Sequence, residues 1–541
     1  MATNFMDEEI PSVVSRKDFP HDFVFGVATS AYQMRKFNIV MNMWKINFVN
    51  VTLKTRICAL EYSAHFGGIP VLAVGYTFGS SSFFFKTVEG ANNEGGRGDS
   101  IWDVFTHTKG KIIDGSNGDT AVDQYHLYKE DVELMSKLGF GAYRFSVSWS
   151  RIFPDGLGTK VNEEGITYYN NLINALLDKG MLPYLTLYHW DLPNHLQESV
   201  GGWLSEKIVN YFAIYAETCF ASFGDRVKHW ITLNEPLQTS VNGYGTGIFA
   251  PGRSENSSTE PYLAGHNQLL AHAAAVSIYK QKFKAQQGGE IGIVVDCEWA
   301  EAFSDKNEDK IAAATRIDFQ LGWYLDPIYF GDYPEAMRER LGDLLPKFSD
   351  EDRELLRNSV DFLGINHYTT RLIAHVSTSP ESGHFYDAQQ MERIVEYPGG
   401  ELIGEKAASE WLYIVPWGIR SLLNYVAQKY YNPKIYVTEN GMDDEEDSKA
   451  LLHEMLDDTK RVGYFKGYLA AVAQAIKDGV DVRGYFAWSF VDNFEWAQGY
   501  TKRFGLVYVD YKNRLRRHPK SSAIWFSRFL KGDAGKTIKE D

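Results

Sequence analysis

Cysteine is nearly missing from this sequence, with three residues, Cys58, Cys219 and Cys297, among 541. They are too few and too scattered for a disulfide framework or a metal site. Cys219 lies on an apolar helix face and reads as a small packed hydrophobe. Basic charge is short as well: 55 Lys and Arg stand against 70 Asp and Glu, a formal net charge of −15. That balance argues against binding a phosphate backbone, so nucleic acid is not expected as a partner. Residues 1–18 carry Asp7, Glu8 and Glu9 and lack a basic region followed by an apolar run, so no secretory signal is expected. A reducing, cytoplasmic setting fits both the absent signal and the sparse thiols. With 44% hydrophobic and 14% aromatic content the chain can bury a large core, its length allows one barrel-sized domain or several smaller ones, and no linker, repeat or low-complexity tract divides it.

What is present is an alternation of helix and strand. Residues 123–138 place Tyr125, Tyr128, Val132 and Met135 at helical spacing and stop at Gly139. Residues 166–179 do the same before Gly180, and residues 205–223 run from a capping Ser205 to Gly224. Each is followed or preceded by a short apolar run. Residues 23–28, 143–149, 182–188, 228–233, 290–297, 362–365, 434–438 and 482–488 read as eight strands. Eight strands alternating with helices predict an α/β fold, a single-domain (β/α)8 TIM barrel, whose chemistry gathers at the carboxyl ends of the strands.

Two of those ends carry a carboxylate backed by an amide: Thr232-Leu233-Asn234-Glu235-Pro236 and Val437-Thr438-Glu439-Asn440-Gly441. A lone Glu after a strand is most often a helix cap or a solvated end. Paired carboxylates at two strand ends are also what glycoside hydrolysis needs, one acid to protonate the departing oxygen and one carboxylate to attack the anomeric carbon. Other strand ends contribute Gln33, His189, Asn366, Tyr368 and Glu495. Gly243-Tyr244-Gly245-Thr246-Gly247 lacks the spacing of a nucleotide loop and reads as a turn beside the site. His189 and Asp191 have nothing nearby to complete a ligand set. No metal or cofactor is expected.

These motifs, in this order, closely resemble glycoside hydrolase family 1, the β-glucosidases of plant type. The resemblance also rests on Phe25-Gly26-Val27-Ala28-Thr29-Ser30-Ala31-Tyr32-Gln33, on Tyr188-His189-Trp190-Asp191-Leu192-Pro193, on Gly364-Ile365-Asn366-His367-Tyr368-Thr369, and on Asp492-Asn493-Phe494-Glu495-Trp496. It covers residues 17–33 and 88–531. It implies a retaining β-glucosidase acting on terminal β-D-glucosyl residues through a covalent glycosyl-enzyme, with Glu235 as acid/base and Glu439 as nucleophile. By the same resemblance Arg144, Asn366 and Tyr368 support the nucleophile. Gln33, His189, Asn234, Tyr368, Glu495 and Trp496 bind sugar, Trp488 stacks under it, Phe504 lines the pocket and Trp417 supports the aglycone. Retention places the two carboxyl groups about 5 Å apart. Thioglucosidases of the family have Gln where this chain has Glu235, and phospho-β-glycosidases alter the Glu495 region, so a neutral O-β-glucoside is the expected small-molecule substrate. No membrane partner is expected.

The chain departs from the family twice. The loop after Ala250-Pro251-Gly252-Arg253 has no cysteine, in keeping with a reducing compartment. Residues 34–87 form an atypical insertion after the first strand, carrying a net charge of +5 against −20 for the remainder. Within it, residues 66–85 are free of charge and long enough to span a bilayer, but Pro70 and four glycines favour a surface excursion. Its reversed charge and clean edges mark it as a retained intron or gene-model error. The alternative function is a catalytically impaired carbohydrate-binding barrel whose site the insertion disturbs.

Overall fold

Parallel strands covered on both faces read as near-continuous apolar runs, and the runs found in this sequence become barrel staves. The structure, a computed structural model, describes residues 13–33, 94–119, 121–378 and 384–532, all within one compact unit. The insertion 34–87, with its uncharged run, lies outside the described residues. No helix among the described residues is long and apolar enough to cross a membrane.

Eight strands close the barrel: β1 (Val24–Ala28), β2 (Ala142–Ser146), β3 (Leu182–Tyr188), β4 (His229–Asn234), β5 (Glu290–Asp296), β6 (Phe362–Asn366), β7 (Ile435–Asn440) and β8 (Val482–Trp488). Neighbours in sequence are neighbours in the barrel, and β1 pairs with both β2 and β8, all in parallel. The first and last strands meet in the register Val24↔Gly484 through Ala28↔Trp488. Gly26 makes that closure possible, since a Cβ there would meet the Phe486 ring at 2.5 Å and the Ala142 carbonyl at 2.9 Å.

The expected helices are present as α1 (Gln124–Leu138), α2 (Glu163–Asp178) and α3 (Lys207–Phe223). Gly139 caps α1 in the left-handed region at φ 93°, the conformation glycine adopts without a Cβ penalty. The third helix begins two residues later than its sequence signal. Its N-cap is Glu206 in helical geometry, and Ser205 is extended and makes no cap. Gly224 ends it at φ −73°, so the stop comes from the chain turning into β4 rather than from a left-handed residue.

Beyond the carboxyl ends of β5 and β6 the chain builds a small three-stranded sheet from Trp299–Ala302, Thr370–His375 and Met391–Ile394. It stands at the barrel mouth because Trp299 follows β5 by three residues and Thr370 follows β6 by four.

Candidate active site

Glu235 is the first residue after β4 and adopts φ 46°, with Pro236 opening the short helical turn behind it. A non-glycine residue in the left-handed region is held there by its surroundings. Here the turn leaves the carboxyl aimed into the mouth, where it is 6% exposed. Glu439 reaches the same space from inside β7, where the pairing with β6 slips between Val437 and Glu439. Such an irregularity re-aims a side chain. Gly441 permits it, since a Cβ there would collide with the backbone carbonyl of Trp488.

The two carboxylates are joined by one hydrogen-bonded chain of side chains. Asn366, the last residue of β6, accepts from Thr438 Oγ1 at 2.7 Å through its Oδ1. That contact turns its Nδ2 outward, to donate to Glu235 Oε1 at 2.5 Å and to Asn234 Oδ1 at 3.2 Å. Arg144, in β2, donates from Nη2 to the same Asn234 Oδ1 at 2.5 Å and from Nη1 to Glu439 Oε1 at 2.5 Å. Tyr368 donates to Glu439 Oε2 at 2.7 Å. Each oxygen of Glu439 therefore holds a donor, one of them a guanidinium, whereas Glu235 has a neutral amide.

Their electrostatic surroundings differ accordingly. Burial drives the Glu235 carboxyl well above the usual range, the negative charges of Asp296 and Glu439 add to the rise, and the Asn366 hydrogen bond and Arg144 offset part of it. Asp296, at the end of β5, is itself pushed up to about 6 by burial, against the hydrogen bond its Oδ2 accepts from Gln238 at 2.7 Å. Burial likewise raises Glu495, helped by Asp443 and Glu439. His189 moves the other way, kept neutral by burial and the nearby Arg144 charge. A neutral imidazole both donates and accepts, which suits sugar hydroxyls. Its Nε2 meets Asn234 Nδ2 at 3.1 Å and its Nδ1 has no protein partner.

A cavity of about 790 Å³ opens over these groups, lined by both carboxylates and by His189, Trp488, Glu495, Trp496 and Phe504. Aromatic faces close one end: Trp496 packs on Trp190 with ring centres 4.4 Å apart, and His189 stacks against Trp488 at 5.8 Å. Gln33 is completely buried behind Glu495, donating to its Oε2 at 3.2 Å while Ser30 donates to the Gln33 Oε1 at 2.7 Å. It positions a cavity residue rather than lining the cavity. Arg144 and Asn234 are buried in the same supporting layer.

Trp417 is the expected site residue that does not arrive. It opens the helix Trp417–Lys429 and packs against the small apolar cluster of Leu372, Ile403, Tyr413 and Val415. Trp411, 43% exposed, lines the cavity instead. Asp296 also lines the cavity without having been expected, although the barrel rule applies to the end of β5 as to any other stave. Among the described residues no group of three or more His, Cys, Asp or Glu is arranged to hold a metal ion.

The model of glycosyl hydrolase family 1 matches residues 71–534. The match begins inside the insertion, and the Phe25–Gln33 motif falls outside it. Beta-glucosidase 4 of rice (Oryza sativa subsp. japonica) is 64% identical over 96% of both chains, and beta-glucosidase 42 of Arabidopsis thaliana is 62% identical over 98% of this chain and 97% of its own. Among solved structures, a rice β-glucosidase superposes with a TM-score of 0.84 at 45% identity, covering 95% of this chain and 99% of its own. A β-glucosidase of the fungus Humicola insolens, in complex with glucose, gives 0.82 at 39% identity over 95% and 98%.

Proposed function

The chain belongs to glycosyl hydrolase family 1 and is a β-glucosidase, and on that premise we propose that Glu439 is its nucleophile and Glu235 its acid/base. In the first step a Glu439 carboxylate oxygen bonds to the anomeric carbon as the bond from that carbon to the glycosidic oxygen breaks. The leaving oxygen takes the Glu235 proton, and the glucosyl unit remains as an ester on Glu439. In the second step water attacks the anomeric carbon, its proton passes to Glu235 and the ester bond returns its electron pair to Glu439. Two inversions leave the configuration retained.

The observation that carries this assignment is the unequal surroundings of the pair. Glu439 is paired with Arg144 and Tyr368, as an anion poised to attack requires. Glu235 is buried beside two further carboxylates and holds its proton. Forming the ester removes the Glu439 charge, which is one cause of the raised Glu235 value. The proton then leaves more readily, and one residue serves as acid and base in turn.

Release of nitrophenol from its β-D-glucoside tests the reading, with the full chain, a form lacking residues 34–87, and Glu439→Gln as the blank. Turnover by either form and none by the blank is expected. A folded protein with no turnover in either form favours the impaired barrel. The cytoplasmic setting belongs to the same proposal and is supported by Cys219 and Cys297, both buried free thiols. A fluorescent fusion following the secretory route would overturn it.

A further inference from the structure

Glu298 is a cavity carboxylate paired through one of its two oxygens. It follows β5 by two residues and lines the cavity with 12% of its side chain exposed. Arg316, from the helix Asn307–Ile317, donates to it from Nε at 3.1 Å and from Nη2 at 2.9 Å, and both hydrogen bonds end on Oε1. A guanidinium and a carboxylate that meet for stability alone pair fork to fork, one N–H to each oxygen. That geometry is absent, and among the described residues no hydrogen bond reaches Glu298 Oε2. With Oε1 taken, Oε2 is the acceptor that the residue has to offer the cavity.

The arrangement is fixed before a ligand arrives. Arg316 also donates from Nη1 to Oε1 of the fully buried Gln389 at 3.0 Å, and Gln389 Nε2 donates to the Phe385 carbonyl at 3.1 Å. The Glu298 amide donates to Gln320 Oε1 at 3.3 Å. Burial works to raise the Glu298 carboxyl, but the charges of Arg393, Arg316 and Arg371 outweigh it and bring it down to about 2, so the group is an anion at neutral pH. An ionised carboxylate can only accept, and a mostly buried one with an oxygen lacking a donor is costly. A donor brought by the ligand removes that cost. The same guanidinium charges repel an ammonium, so the donor that fits is a neutral hydroxyl.

Its place in the cavity says which part of a substrate carries that hydroxyl. Glu235 hands its proton to the leaving oxygen, and Asp296, whose charge acts on Glu235, stands two residues before Glu298. Trp411 lines the same cavity, 43% exposed, its ring perpendicular to that of Tyr368 with centres 5.8 Å apart and its carbonyl held by Arg371 Nη2. It offers a flat apolar face to a ring. We propose that Glu298 selects the leaving group, its Oε2 accepting a hydrogen bond from a hydroxyl that the aglycone carries beyond the glycosidic oxygen. The inference rests on the β-glucosidase reading and adds to it the chemistry the aglycone must present. Arg316 is a positioning residue here: by holding Oε1 it aims Oε2.

Two substrate pairs test it with the full chain: 4-hydroxyphenyl against 4-methoxyphenyl β-D-glucoside, and 4-(hydroxymethyl)phenyl against 4-(methoxymethyl)phenyl β-D-glucoside. Each ether keeps an acceptor oxygen and loses the donor. The readout is the ratio of kcat/KM for hydroxyl over ether in the wild type and in Glu298→Gln, so that a general loss of activity or of folded protein cancels. Arg316 only donates, so it keeps the amide oxygen of the variant and turns the NH2 toward the cavity, where no acceptor remains. For at least one pair the wild type should prefer the hydroxyl, and the ratio should fall about tenfold in Glu298→Gln, as expected for one charge-assisted hydrogen bond. Should that variant not fold, Glu298→Asp keeps the charge beside Arg316, draws the oxygens back by one carbon and should lower the ratio in the same direction. Ratios that are unchanged or higher in the folded variant for both pairs would overturn the inference and leave the glucosidase intact. Failure of every glucoside with folded wild-type protein would remove both readings together.

Discussion

Glu235→Gln separates the two jobs assigned to that residue. The amide has the shape of the carboxyl, so Asn366 keeps its 2.5 Å contact to the Oε1 position and the buried site keeps its packing. What disappears is the proton for the leaving oxygen and, later, the base for water. General acid–base assistance contributes typically 10²–10⁴-fold, about 3–5 kcal/mol of barrier. An alkyl β-glucoside, whose leaving oxygen must be protonated, should lose that full amount. A dinitrophenyl β-glucoside leaves as a stable anion and should react in its first step within about tenfold of the wild type. The second step still lacks its base, so the glucosyl-enzyme accumulates. Stopped-flow absorbance should then show a burst of dinitrophenolate close to one per protein, and mass spectrometry should find one glucosyl unit on the peptide bearing Glu439. Azide needs no deprotonation and should restore turnover, with β-glucosyl azide as product. Equal losses for the alkyl and dinitrophenyl glucosides, or no response to azide, would refute the role of Glu235.

Asp296→Asn removes one of the charges that raise the Glu235 carboxyl. Its proton is then lost at lower pH, so the alkaline limb of the kcat/KM profile should move toward acid, and a limb that stays or moves upward contradicts the argument. Asn366→Ala deletes the donor shared by Glu235 and Asn234. It should lower kcat about 10–100-fold with a smaller change in KM, because the acid loses its orientation rather than its substrate. Asp492 is fully buried, accepting from Arg503 at 2.6 Å and Lys520 at 2.9 Å. Asp492→Asn takes from buried Lys520 its carboxylate and leaves Arg503 with Glu446 alone, and should cost about 3–5 kcal/mol in urea melts at neutral pH. Burial alone would raise the Asp492 value, but Lys520 and Arg503 outweigh it and depress it. Its stabilisation is therefore present above the unfolded value of about 3.9 and fades as pH falls through the native one, so the gap between variant and wild type should narrow in acid. Finally, transcript reads across codons 33–88 should lack the insertion, and reads that consistently contain it would show that residues 34–87 are native.

The barrel was readable because each stave is a short apolar run flanked by turn signals, and β3 and β8 begin and end where those runs do. The proposed catalytic pair stands out in the sequence because Glu235 and Glu439 lie within ordered motifs at strand ends. Asp296 lies at an equivalent place, but nothing around it forms a motif, and its charge matters only through the distance to Glu235. The exchange of Trp417 for Trp411 has the same origin: Trp411 sits in irregular chain and Trp417 is the first residue of a helix, where neither period 2 nor period 3.6 reports which ring faces inward. Glu298, Arg316, Arg371 and Arg393 likewise come together through the loop after β5 and the small sheet beyond β6. Proximity of that kind is a property of the fold and leaves no local trace.

Gln33 gives the barrel closure a further meaning. It stands five residues past β1, yet apart from Ser30 what holds it comes from the loop after β8: Asn493, Glu495 and the Phe494 amide, which donates to the Gln33 carbonyl at 3.0 Å. The Glu495 end of the cavity is thus a seam, where early and late parts of the chain are stitched across some 460 residues. A chain still leaving the ribosome, or a partly folded one with its last stave unpaired, already carries Glu235 and Glu439 and yet lacks this end of the cavity. On the proposed assignment, a ligand held at this end would report on completed closure of the barrel as well as on the site.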